Sequence, residues 1–106
     1  MQIIFNNAGY ITFGLFNDVS LQRHMNNYHV NATIAVMITH HFAQKLIQKK
    51  LKGCISFTSS PAGQMPGPMA ALYGATKAFL TNFGSSVACE YARMFHYFLF
   101  LFILQY

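Results

Sequence analysis

Ile3-Ile4-Phe5 is an unbroken apolar run that stops at Asn6-Asn7-Ala8-Gly9, the pattern of a buried parallel strand ending at the carboxyl edge of a sheet. Tyr10 to Val19 has no period and is punctuated by Gly14 and Asn17-Asp18, so it predicts a loop, with Asp18 or Ser20 placed to cap the helix that follows. Along that helix Val30, Ile34, Met37, Ile38, His41 and Leu46 recur near the helical period. They predict one stripe against a sheet, with Gln44, Lys45, Gln48 and Lys49 toward water. Asn31 lies on or beside the stripe, and an amide there must find hydrogen-bond partners or hold a water. Lys52-Gly53 ends the helix, and Cys54-Ile55-Ser56-Phe57-Thr58 alternates apolar and small polar residues as a second strand closed by Ser59-Ser60. Pro61 to Met69 holds all 3 prolines together with Gly63 and Gly67 and predicts a rigid loop. A second helix runs from about Met69 to Arg93, packing through Phe79, Leu80, Phe83 and Val87, with Gly74, Ala75, Ala78 and Gly84 small enough for close approach of a neighbour.

Strand, helix, strand, helix in that order calls for parallel pairing and an α/β fold. The 106 residues hold one domain at most, and 54% hydrophobic content is ample for a core. The tail breaks the pattern: Met94 to Leu104 is aromatic and aliphatic almost throughout, and it is too short to span a bilayer as a helix. A membrane-surface anchor is one reading of residues 94–106. A translated non-coding stretch or a wrongly joined exon accounts better for the abrupt change of composition.

The net charge of +5 arises because only Asp18 and Glu90 are acidic, while Lys45, Lys49, Lys50 and Lys52 cluster near one helix end. Lysines there complement the helix dipole, a better account than a surface for phosphate-bearing cofactors, acyl-CoA or nucleic acid. Cys54 and Cys89 stand apart, as small residues of a reducing compartment, and the adjacent His40-His41 point too far apart to chelate, so no metal site is expected. Nothing at the amino terminus reads as a signal peptide, and the expected location is intracellular, in the cytoplasm or at the endoplasmic reticulum membrane surface.

The candidate chemistry gathers in Ser59-Ser60-Pro61 through Tyr73-Gly74-Ala75-Thr76-Lys77. Tyr73 and Lys77 share a helix face, so the ammonium can sit near the phenol. A neighbouring cation favours phenolate, which suits a general acid that must also recover its proton. Ser60, just past the second strand, is placed to hold a substrate carbonyl from the opposite side. Met65 and Met69 make the intervening loop an apolar, adaptable wall for substrate.

Asn6-Asn7-Ala8-Gly9, the Asn of His29-Val30-Asn31, Ser60 and the Tyr73 to Lys77 element occur in the order and at about the separations found in classical short-chain dehydrogenase/reductases. The resemblance runs from about Gln2 to Tyr91. Ala71 to Phe79 is most similar to the branch of 3-oxoacyl-CoA reductases and 17β-hydroxysteroid dehydrogenases. It implies a partial Rossmann-like doubly wound sheet over residues 1–93, lacking the amino-terminal glycine-rich half and the carboxy-terminal strands, with the 94–106 tail outside the family pattern. It further implies NADP or NAD as cofactor, met by Asn7, Ala8, Gly9, Tyr73 and Lys77, and a small carbonyl or secondary alcohol as substrate. Tyr73 would be the acid or base, with Lys77 beside it holding the ribose. Ser60 would polarise the carbonyl and Asn31 would hold a relay water. A complete version would be a homo-oligomer joined through its two long helices. The chain alone is expected to be a truncated, inactive piece that binds cofactor weakly; the alternative is a non-catalytic remnant acting as a pairing subunit.

Overall fold

The computed structural model describes residues 2–94 and 98–104. Three strands, β1 (Gln2–Asn6), β2 (Gly53–Ser59) and β3 (Phe98–Leu104), form one parallel sheet in that order. The first connection contains α1 (Leu21–Tyr28), a π-helical turn (His29–Thr33) and α2 (Ile34–Lys49). The second contains a 3₁₀ turn (Pro61–Gly63) and α3 (Ala71–Met94). Ser20 caps α1, its Oγ accepting from the Arg23 N–H at 3.3 Å.

The resemblance implied a sheet lacking its carboxy-terminal strands, with the tail outside the pattern; the backbone of β3 nevertheless pairs with β2. It pairs along the whole of β2, from Gly53 opposite Phe98 to Ser59 opposite Leu104. A continuous apolar run is what a strand of a parallel sheet requires, so the composition that made the segment look foreign is the composition of its element. Residues 95–97, 105 and 106 of that tail lie outside the described residues.

The stripe that α2 buries also differs from the expected one. Ile34 and Met37 remain 40% and 65% exposed; Leu46 is buried as expected, but the face is otherwise made by Ala35, Thr39 and Ala43. Helix and sheet approach closely only through small side chains, so this face is marked by size more than by hydropathy. The helix stops at Lys49, before Lys52-Gly53. Lys50 takes the left-handed conformation (φ 52°) and its N–H donates to the Ile47 carbonyl. Gly53 has another task as the first residue of β2: a β carbon there would collide with Leu46 Cδ1, so its bareness lets α2 settle onto the strand.

Ile4 pairs with Ile55 in register, and Ile55 and Phe57 share one face of the sheet. That face meets Ala35, Ala43 and Leu80, with Phe79, Phe83 and Tyr91 packed around them. Phe83 stands edge-on to Phe57 and stacks on Phe79, at centroid separations of 5.9 and 5.5 Å. Removing the Phe57 ring would cost about 3–5 kcal/mol, the usual loss when a buried aromatic becomes a cavity. On the other face of β1, Ile3 and Phe5 are 51% and 61% exposed. Among the described residues no helix is long and apolar enough to cross a membrane.

Glycines set the seat of α3. A β carbon on Gly63 would lie 2.6 Å from the Ala78 amide nitrogen, and one on Gly74 would lie 2.8 Å from the Ala62 carbonyl oxygen. The 3₁₀ turn therefore lies flat against the first turns of α3 and holds that end of the helix over the carboxyl edge of β2.

Candidate active site

Four backbone endings meet at the carboxyl edge of the sheet: the end of β1, the end of β2, the π-helical turn and the first turns of α3. Asn7 and Thr58 bind the two strand ends together, Thr58 Oγ1 donating to Asn7 Oδ1 at 2.8 Å. Asn6 turns inward, its Nδ2 donating to Thr39 Oγ1 at 3.2 Å while its buried Oδ1 has no partner. Asn7, Ala8 and Gly9 face solvent as an exposed ledge.

Lys77 reaches that ledge from α3. It is 4% exposed, and its Nζ donates to the Thr58 carbonyl at 3.1 Å. Burial holds its ammonium below the ordinary lysine value of 10.5. The chain's two acidic residues, Asp18 and Glu90, are both exposed. A buried cation with spare N–H donors and only a carbonyl to receive one of them is suited to hydroxyl or anionic oxygens of a ligand.

Asn31 arrives from the opposite side. A regular helix through Tyr28–Ile34 would continue the i→i−4 ladder; instead the Ile34 N–H donates to the His29 carbonyl, and the widened turn carries Asn31 inward. Asn31 is nearly completely buried. Its Oδ1 accepts from the Tyr10 N–H at 3.0 Å, and its Nδ2 donates to the Tyr10 carbonyl at 2.9 Å and toward Thr76 Oγ1 at 3.3 Å. Gly9 marks where the two approaches meet: a β carbon there would lie 3.2 Å from Asn31 Oδ1 and 3.3 Å from Lys77 Nζ. The amide oxygen and the ammonium thus flank one strip of bare backbone.

Tyr73 lies one turn before Lys77, whose Nζ stands 5.6 Å from the phenol ring centroid. Ser60 sits at the same edge, immediately after β2. Its Oγ accepts from the Ala62 N–H at 3.2 Å and so caps the 3₁₀ turn, which leaves the hydroxyl proton to donate elsewhere. Asn31, Lys77 and Gly9 are therefore drawn together directly, with Tyr73 beside Lys77 and Ser60 at the rim. Two residues absent from the expected set complete the frame. Thr76 donates to the Tyr73 carbonyl at 2.7 Å while receiving Asn31, and Asn27 is wholly buried one turn before Asn31. The spacing of Asn27 to Asn31 along one helix was the available signal for the second. Ser59 serves α3 instead, hydrogen-bonding Thr81 Oγ1 at 2.6 Å and the Lys77 carbonyl at 3.1 Å.

The rim of this edge is apolar. Phe13, Leu15, Phe16, Met65 and Met69 are exposed, and the Gly14 N–H donates to the Met69 carbonyl at 2.9 Å, so the loops after β1 and after β2 are joined. Met69 holds φ at 66°, uncommon for a side-chain-bearing residue, to make that bond. Among the described residues no group of His, Cys, Asp and Glu is arranged to hold a metal.

The family model described as short chain dehydrogenase matches residues 1–95. The chain is 39% identical over 61 residues to very-long-chain 3-oxoacyl-CoA reductase of Laccaria bicolor, a match covering 58% of this chain and 18% of the relative. It is 34% identical over 92 residues to hydroxysteroid dehydrogenase-like protein 1 of Gallus gallus, covering 85% of this chain and 28% of that one. Among solved structures, 4-hydroxyisoleucine dehydrogenase complexed with NADH superposes with a TM-score of 0.82 at 26% identity, covering 87% of this chain and 40% of that one. The chain spans 18% to 36% of the length of the curated relatives it matches. The parallel sheet, the joined strand ends and the family match agree, and the chain belongs to the short chain dehydrogenase family.

Proposed function

We propose that this chain supplies the proton-handling side of a reversible hydride transfer between a nicotinamide cofactor and a carbonyl or secondary alcohol. The observation that carries this reading is the convergence of Lys77 Nζ and Asn31 Oδ1 on Gly9, with Tyr73 one turn from Lys77. The residues present fit one end of such a cofactor. Asn7, Ala8 and Gly9 form an exposed ledge on which a β carbon at Gly9 would crowd the polar groups, and the buried Lys77 ammonium has donors to spare for ribose hydroxyls. When bound, the nicotinamide supplies or accepts the hydride.

In the reducing direction Tyr73 gives its phenolic proton to the carbonyl oxygen as the carbon receives hydride, so the product alcohol gains one hydride and one proton. Lys77 favours the resulting phenolate from beneath, and Asn31 holds the adjoining backbone and faces the path by which the proton is replaced. Ser60 hydrogen-bonds the same carbonyl oxygen through its hydroxyl and keeps its proton, polarising the carbonyl. For substrate, the exposed Phe13, Leu15, Phe16, Met65 and Met69 favour a long apolar body, as in a 3-oxoacyl thioester or a steroid-like ketone. The names of the two relatives described above favour the same classes. A homo-oligomer is part of the proposal: Ile34 and Met37, one turn apart, leave one side of α2 apolar and exposed.

The test grafts residues 1–104 into a family member in place of its matching segment. NADH and NADPH consumption are then followed with long-chain 3-oxoacyl thioesters and steroid ketones. Turnover that Tyr73→Phe reduces by about 10²–10⁴-fold supports the reading. A folded graft that consumes neither cofactor, or one in which Tyr73→Phe is as fast as the parent, overturns it.

A further inference from the structure

Asn27 has no place in the family resemblance, yet it is 0% exposed and every polar atom of its side chain is engaged. Its Nδ2 donates to the Tyr10 carbonyl at 2.8 Å and to Thr12 Oγ1 at 3.2 Å, and its Oδ1 accepts from Asn31 Nδ2 at 3.4 Å. Tyr10 is thereby held at three points, since Asn31 also takes the Tyr10 N–H and donates to the same carbonyl. The chemistry of an amide makes this arrangement one-way. Turning the Asn27 amide over would set its oxygen against the Tyr10 carbonyl and its NH₂ against the NH₂ of Asn31, two repulsive contacts in a buried site. With Asn27 fixed, Asn31 Nδ2 points at three oxygen acceptors, and Asn31 Oδ1 has only the side toward the Tyr10 N–H and Gly9 open to it.

We propose that Asn27 is a positioning residue: it locks the orientation of the Asn31 amide and the course of Tyr10–Thr12, and so sets where Asn31 Oδ1 stands relative to Lys77. The two asparagines act as a pair across the junction of α1 and the π-helical turn. Regular helix ends before Asn31, so the pair spans a change of helical geometry. Because Tyr10 belongs to the same joined loops as Gly14 and Met69, the pair also couples the proton-handling side of the site to its apolar rim. The inference rests on the role given above to Asn31, and an error of about 1 Å in such a group is costly to catalysis.

Amide hydrogen exchange on the 106-residue chain, without cofactor or substrate, tests the geometry separately from the reaction. The Tyr10 N–H reports on Asn31 Oδ1, and the Ile55 N–H in the central strand reports on global opening. Asn31→Ala should remove the protection of Tyr10, which establishes the reporter. Asn27→Ala should speed Tyr10 exchange about tenfold, the worth of roughly one hydrogen bond, while Ile55 keeps its rate. Unchanged Tyr10 exchange in folded Asn27→Ala overturns the proposal, as does equal acceleration of Tyr10 and Ile55, which would show a general loss of stability. Should Asn27→Ala fail to fold, Asn27→Ser fills part of the space without reaching Asn31, and the same two rates decide. An inactive graft would refute the reductase reading and leave these rates untouched, so the two failures can be told apart.

Discussion

Lys77 donates its ammonium to the backbone carbonyl of Thr58 at 3.1 Å, and Thr58 donates its own hydroxyl to Asn7 at 2.8 Å. One threonine thus ties the buried cation on α3 to the ledge at the end of β1, so a change at Lys77 is felt where a cofactor would lie.

The first prediction concerns pH. Burial lowers the folded-state affinity of Lys77 for its proton below the ordinary 10.5, so the unfolded chain binds the proton more tightly. Stability should rise with pH as the folded Lys77 loses its proton, and this gain should level off above 10.5. Tyr91 works oppositely above 10.0, because burial, and after it the charge of Glu90, raise its folded-state value; its contribution is lost as pH climbs through that raised value. Urea unfolding at a series of pH values should show the alkaline rise on approach to 10.5, and Lys77→Met should flatten it.

Tyr73 and Lys77 should separate in their effects. In the active graft, Tyr73→Phe removes the proton donor but leaves the ledge and the ammonium, so cofactor affinity should change less than about threefold. Lys77→Ala should by itself cost turnover about a hundredfold and weaken cofactor binding by about tenfold, since a donor to the ribose is lost along with support of the phenolate. Fluorescence titration of NADH beside steady-state rates checks the division. Equal binding losses in the two variants would contradict it.

Gly9→Ala is the sharpest probe of the meeting point. The added methyl would stand 3.2 Å from Asn31 Oδ1 and 3.3 Å from Lys77 Nζ, so both must yield by a few tenths of an ångström. The cost to stability should be about 1 kcal/mol, while turnover in the graft should fall at least tenfold because both groups move together. Thermal unfolding and rates, measured side by side, distinguish this from a uniform loss.

Gly63→Ala tests the seat of α3. Its methyl would lie 2.6 Å from the Ala78 amide nitrogen, and backbone cannot give way as a side chain can. A loss of about 1–3 kcal/mol in urea unfolding is expected. Gly67→Ala, whose methyl would meet nothing within 4 Å, is the matched control.

The elements marked by period and punctuation were legible: both strands, the helices, the Ser20 cap and the packing of Phe79, Leu80 and Phe83 on the sheet. The resemblance named Asn31 and Lys77 as site residues, and the fold brings both beside Gly9. What escaped was set by size or by partners distant in sequence. Ala35, Thr39 and Ala43 carry too little hydropathy to outweigh Ile34 and Met37, although contact distance selects them. Gly53 read as a helix stop because the collision with Leu46 that it avoids is tertiary. Asn27 has the backbone of Tyr10 as its chief acceptor, a partner that no local pattern marks. Phe98–Leu104 was read by composition, and its strand identity comes from the edge of β2 that it completes.

The central place of β2 has a consequence for how the chain acquires its shape. Ile4 can pair only after Ile55 has been made, and Ile55 in turn pairs with Phe100, so no ladder in the sheet is closed by a tight turn. Every strand contact spans a helical crossover, which places this segment among slow-forming, high-contact-order topologies. During synthesis Ile4 emerges well before Ile55, and the edge of β1 that β2 takes stays unpaired in that interval. That interval is when a holding chaperone at β1 would find backbone donors and acceptors still without their partners from β2.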